Sequence, residues 1–110
     1  MKDAQTQFIQ GTLDLLILRT LIYGPAHGHA IGGHIQRSSE TLRIETGSLY
    51  PALHRLEAQG LVRAVWQLSD KGKRAKYYHL TPAGKRHLTA EQSRWDRFVL
   101  AMSRVLQPSE

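Results

Sequence analysis

Two groups of side chains in this chain are of the kinds that do chemistry. One is a set of six histidines, three of which, His27, His29 and His34, lie close together; the other is a polar and then basic series from Thr46 to Lys76. A metal ion is the first use to consider for the histidines. Two ligands on one helix must stand three or four residues apart to share a face, whereas successive members here are two and five apart. His27 and His34 share a face but lie two turns apart, too far to hold one ion. Surface or capping roles are expected instead, with no metal site and no cofactor. The chain has no cysteine, which excludes a disulfide framework, a thiolate zinc site and a cysteine nucleophile. No serine, histidine and carboxylate stand at spacings that would make a hydrolase credible.

The second series points elsewhere. Thr46, Ser48, Tyr50 and His54 open a helical pattern, and Lys71, Lys73, Arg74 and Lys76 surround a glycine turn just beyond it. In duplex DNA, the N-terminal residues of a helix reach base edges in the major groove, while cations on an adjoining hairpin hold phosphates or dip into the minor groove. Tyr50 is expected to reach farthest, because its hydroxyl extends past its small neighbours. The formal net charge of +6, with basic residues crowding the second half, suits a polyanion, nucleic acid before membrane. An alternative use of the same exposed groups is a protein-interaction module that docks an acidic protein partner; steep salt dependence would separate the two.

The elements that must position these groups are legible in the patterning. Thr12 is placed to cap a first helix over 13–23, whose leucines and isoleucines cover most of its circumference and imply burial on several sides. Gly24-Pro25 ends it. A second helix is expected over 28–37, with Ile31 and Ile35 inward, followed by a connection over 38–44. A third helix begins near Thr46 or Ser48, and Pro51 favours the later start. Its Leu49, Ala52, Leu53 and Leu56 fall on one face, which leaves Ser48, Tyr50, Pro51, His54, Arg55 and Ala58 outward, and Gly60 terminates it. Strands over 62–68 and 75–80 flank the turn Ser69-Asp70-Lys71-Gly72 and form a wing, on which Trp66 is read as core. Thr81 and Pro82 then start a long helix that runs to Leu106.

Along that last helix Leu88, Gln92, Trp95, Val99, Met102 and Leu106 alternate spacings of four and three, a heptad seam with one polar interruption. Such a seam wants a partner helix, so Leu88, Trp95, Val99, Met102 and Leu106 are expected to form a homodimer interface. Two copies related by a two-fold axis would read an inverted repeat in double-stranded operator DNA. The fold class is thus mainly α with a small β-hairpin: a winged helix-turn-helix domain over 1–80, with its N-terminal arm, and a C-terminal dimerisation helix over 81–110 continuous with it. No run is long enough to span a bilayer and none resembles a signal peptide, so a cytoplasmic protein without membrane attachment is expected.

Three segments carry a family resemblance: His27-Gly28 followed by Ile31, GSLYPALHRLEAQGLV over 47–62, and KYYHLTPAGK over 76–85. The chain resembles the PadR family of bacterial transcriptional regulators, and LYPALHRLE is the specific part of the match. His29 and Ala30 depart from the aromatic and acidic residues common at those positions. The resemblance implies a winged helix dimerised through its C-terminal helix, palindromic operator DNA and, most often, repression. With one terminal helix, the chain is similar to the short-tailed members. In some members a ligand sits between the subunits, which here would place a small aromatic or apolar effector at Trp95 and Phe98.

Overall fold

The computed structural model describes residues 4–39 and 44–108, with side chains from residue 11 onward apart from that of Thr46. Helix α1 (Ala4–Thr20) begins well upstream of the expected start. Alanine and glutamine before Gly11 are good helix formers, and one internal glycine costs only about 1 kcal/mol. Thr12 therefore lies inside the helix rather than at its start. A single 3₁₀ turn (Leu21–Tyr23) follows and closes at Gly24, whose φ of 135° is open to glycine.

The short strand β1 (Ala26–His27) leads directly into α2 (Gly28–Ser38). His27 caps that helix, its Nδ1 accepting a hydrogen bond from the Ala30 amide at 3.1 Å. The connection expected before the next helix falls partly on residues 40–43, outside the described residues. Helix α3 (Thr46–Ala58) takes the earlier of the two expected starts. The amides of Ser48 and Leu49 both donate to the Glu45 carbonyl, at 2.9 and 3.0 Å, which puts Pro51 in the second turn rather than the first. Only the Gly47 carbonyl loses an amide partner to the proline, and Gly47 is exposed to water. At the other end, the Leu61 amide donates to the Leu56 carbonyl and the Gly60 amide to the Glu57 carbonyl, with Gly60 at φ 75°. Left-handed Gly60 closes α3 as its sequence position implied.

Strands β2 (Val62–Leu68) and β3 (Arg74–Leu80) pair antiparallel, from Val62 with Leu80 out to Leu68 with Arg74. The sheet has three strands rather than two, in the order β1-β3-β2, because Ala26 and His27 pair with Tyr78 and Tyr77. Two residues carry too little patterning to be read as a strand. Helix α4 (Pro82–Leu106) starts and stops as expected, with Thr81 Oγ1 accepting from the Gly84 amide at 2.9 Å.

One core joins these elements. Ile17 and Leu18 of α1, Ile31 of α2, and Ala52 and Leu53 of α3 are fully buried, and Leu49 and Leu56 complete the expected inward face of α3. Burying each large aliphatic side chain contributes roughly 1.5–3 kcal/mol. Leu88 belongs to this core too: it is 2 % exposed within its own subunit, which corrects its assignment to the dimer seam. The first two turns of α4 pack against the domain, Glu91 and Trp95 beyond them stay half-buried, and the helix is exposed from Asp96 onward. Its 25 residues span about 37 Å and draw the molecule out to 60 × 28 × 27 Å.

Candidate nucleic-acid interface

Helices α2 and α3 form the helix-turn-helix, and the apolar face of α3 turns its other side outward. Gly47, Ser48, Pro51 and His54 are exposed there, and Tyr50 partly so. Thr46 is the first residue of the helix, but its side chain lies outside the described residues. Tyr50 does not point straight out. Its phenol ring lies across Gly28, where a Cβ would stand 2.7 Å from Cε1 and 2.8 Å from Oη. The hydroxyl is therefore carried to the N-terminus of α2, where backbone amides point outward and favour anions.

Arg55, expected to face out, is instead half-buried against α1. Its Nη2 donates to Asp14 Oδ1 at 2.6 Å and its Nε to Oδ2 at 3.4 Å. Both side chains keep 35 % and 23 % of their surface in water, so the pair contributes about 0.2–1 kcal/mol. Its larger effect is to fix the rotation of α3 on the helix beneath it.

The wing presents its cations unevenly. Lys71, Lys73 and Arg74 are exposed around the turn, where Gly72 takes φ 78°. Lys76 sits nearer the root, its ammonium 3.5 Å from Glu57 of α3 and 5.8 Å from the centre of the Tyr78 ring. It ties the hairpin to the helix. The buried Tyr78 phenol is shifted to higher pKa, first by burial and then by the nearby Glu57 carboxylate and by Tyr50. Trp66 is not core: it is 57 % exposed, with the Arg74 guanidinium 5.2 Å from its ring centre.

On α4, Val99, Met102 and Leu106 are exposed along one face, and Phe98 and Val105 widen that strip. Trp95 is half-buried, its ring 5.8 Å from that of Phe98. These two rings, with Glu91 and Arg94, face Gly11, Thr12 and Leu15 of α1 across a groove of ≈ 360 Å³. Among the described residues no cluster of three or more histidines and carboxylates could hold a metal ion. No helix of the structure is long and apolar enough to cross a membrane.

A helix-turn-helix with a basic wing and a long terminal helix defines the winged-helix class of DNA-binding regulators. The chain matches the transcriptional regulator PadR-like family over residues 17–90 and belongs to it. It is 34 % identical over 86 residues to the transcriptional regulator Rv3488 of Mycobacterium tuberculosis, covering 78 % of each chain. Its fold is similar to that of a transcriptional regulator from Clostridium thermocellum, with a TM-score of 0.82, 27 % identity, and coverage of 92 % of this chain and 99 % of that one. A PadR family transcriptional regulator from Eggerthella lenta is similar at a TM-score of 0.78 and 30 % identity, covering 96 % and 92 %. The protein is accordingly a DNA-binding transcriptional regulator and not an enzyme.

Proposed function

We propose that this regulator acts in the cytoplasm as a homodimer reading an inverted repeat, with α3 in the major groove and the wing on the flanking backbone. The observation that carries this reading is the exposure of Ser48, His54 and the wing cations Lys71, Lys73 and Arg74 around a buried core. Thr46, Ser48 and His54 are the base-reading positions. Tyr50, its hydroxyl held at the start of α2, meets a phosphate together with the first-turn amides there. Lys71, Lys73 and Arg74 bind backbone phosphates or enter the minor groove, with Lys76 supporting them from the wing root.

Trp95, Val99, Met102 and Leu106 cover one another across the two-fold axis, joined by Phe98 and Val105. A strip of this size on a protruding helix is seldom left to water. The domain over 1–80 thus reads DNA while the helix over 81–110 sets the distance between its two copies. The groove beside Trp95 and Phe98 has the volume of a small-ligand site, and a flat apolar effector there would act by favouring one subunit spacing over another. Repression is the mode that the family resemblance supports.

Selection of duplexes from a random pool, followed by affinity measurements across a range of salt, tests the reading. An enriched inverted repeat, with affinity falling log-linearly and steeply as salt rises, is expected. Failure to enrich any sequence, with weak and salt-insensitive binding, would shift the account to a module that docks an acidic protein.

A further inference from the structure

Phosphate binding by cations leaves two wing residues without a use. Trp66 and Leu68 are 57 % and 67 % exposed, and an indole so open on the outer half of a hairpin gives up much of the burial that usually accounts for tryptophan. They share a face, because Trp66 pairs with Lys76 and Leu68 with Arg74, and directly paired residues of an antiparallel sheet point the same way. Lys76 reaches Glu57 of α3 from this face, so it is the face turned toward the recognition helix. Arg74 lies over the indole. The result is an apolar centre framed by cations, beside the element that enters the major groove.

We propose that Trp66, extended by Leu68, is an apolar wedge for the minor groove of duplex DNA. The proposal rests on the DNA-binding reading above and assigns the wing a second task within it. Charge selects the occupant: the hairpin over 62–80 carries five basic residues against one acid, Asp70. A minor groove matches that layout, with phosphates along both rims and apolar sugar and base-pair surface between them. Arg74, stacked on the indole, is held ready for a rim phosphate while the ring presses inward. Because an inserted side chain partly unstacks a base step, the protein favours a deformable pyrimidine–purine step at positions that α3 does not touch.

The test uses the full chain and duplexes recovered from a random pool by the wild-type protein. Trp66→Ala should bind them about tenfold more weakly, in the range of one lost aromatic–base contact. End-labelled duplexes should be less bent by it, and the preference for the deformable step should fade. The slope of log affinity against log salt should stay unchanged, since no charge is removed, whereas Arg74→Ala should lower it by about one. Trp66→Phe should retain most of the affinity and bend. Leu68→Ser, on the same face and directly opposite Arg74, should lose part of both. Equal affinity and bend for wild type, Trp66→Ala and Leu68→Ser would overturn the wedge and leave DNA binding standing. A salt slope reduced in Trp66→Ala as in Arg74→Ala would also overturn it, reducing Trp66 to a prop for Arg74. A wild-type protein that recovers no duplex would remove both readings and leave this face to an acidic protein.

Discussion

The phenol of Tyr50 lies so close over Gly28 that a Cβ on residue 28 would stand 2.7 Å from its Cε1. The two helices of the helix-turn-helix thus meet through a tyrosine from one and a missing side chain on the other. That fit sets where the tyrosine hydroxyl points. Gly28→Ala should displace the ring, which is partly exposed and free to swing, without unfolding the domain. We expect a melting temperature within a few degrees of wild type and a several-fold loss of duplex affinity, read by thermal melting and fluorescence anisotropy. Unchanged affinity would mean that the Tyr50 hydroxyl is not a DNA contact.

Gly84 is tighter still, and its neighbour cannot move aside. A Cβ there would stand 2.1 Å from the Leu61 carbonyl oxygen, the same oxygen that accepts from the Thr81 amide and hydroxyl. Gly84→Ala should lift the start of α4 off the domain and cost about 1–3 kcal/mol or more. A lower urea midpoint is the expected result, and an unshifted midpoint would show that α4 can seat without this close approach.

Tyr78 makes stability depend on pH at the alkaline end. Its pKa is raised in the folded protein by burial, by Glu57 and by Tyr50, so above the ordinary phenol value the unfolded chain loses its proton first. Unfolding then becomes more favourable: stability is constant below about pH 10 on this account and falls as pH rises toward the folded pKa. Tyr78→Phe should flatten that fall in urea titrations taken at increasing pH. An equally steep fall in the variant would assign it to other groups.

Val99 lies in the middle of the exposed strip of α4, 41 % open to water in the single subunit. In the proposed homodimer, Val99→Glu should put like charges across the two-fold axis and give a monomer by sedimentation, with helix content retained. A variant that remains a dimer of wild-type stability would move the interface away from this face.

The sequence reading succeeded where one local rule decided the outcome. Leu49, Ala52, Leu53 and Leu56 repeat at helical spacing and are all buried; Thr81 with Pro82 marks a helix start that nothing downstream contradicts. It failed where a distant partner decides. Asp14 and Arg55 are 41 residues apart, and no local pattern marks them as a pair. Leu88 fits a heptad as well as it fits a core, and only the docking of the first turns of α4 sends it inward. Trp66 has the composition of a core strand, but β2 is buried only at Val62 and Trp66 lies on its exposed outer half. β1 exists because Tyr77 and Tyr78 offer it an edge, a fact absent from Ala26 and His27 themselves. Spacing put Ser48 and His54, and Val99, Met102 and Leu106, on faces that are exposed, yet what those faces touch is written in the partners.

In the proposed dimer, two copies of α3 and the wing, set at a fixed distance by α4, read two half-sites together. Once an inverted repeat has been selected, the most direct measurement is the affinity of the protein for that repeat with about five base pairs, half a helical turn, inserted between its halves. A fall to the affinity of a single half-site is expected, recovered in part when a full turn is inserted. Affinity indifferent to the half-turn insertion would contradict it, because each subunit would then be reading DNA alone.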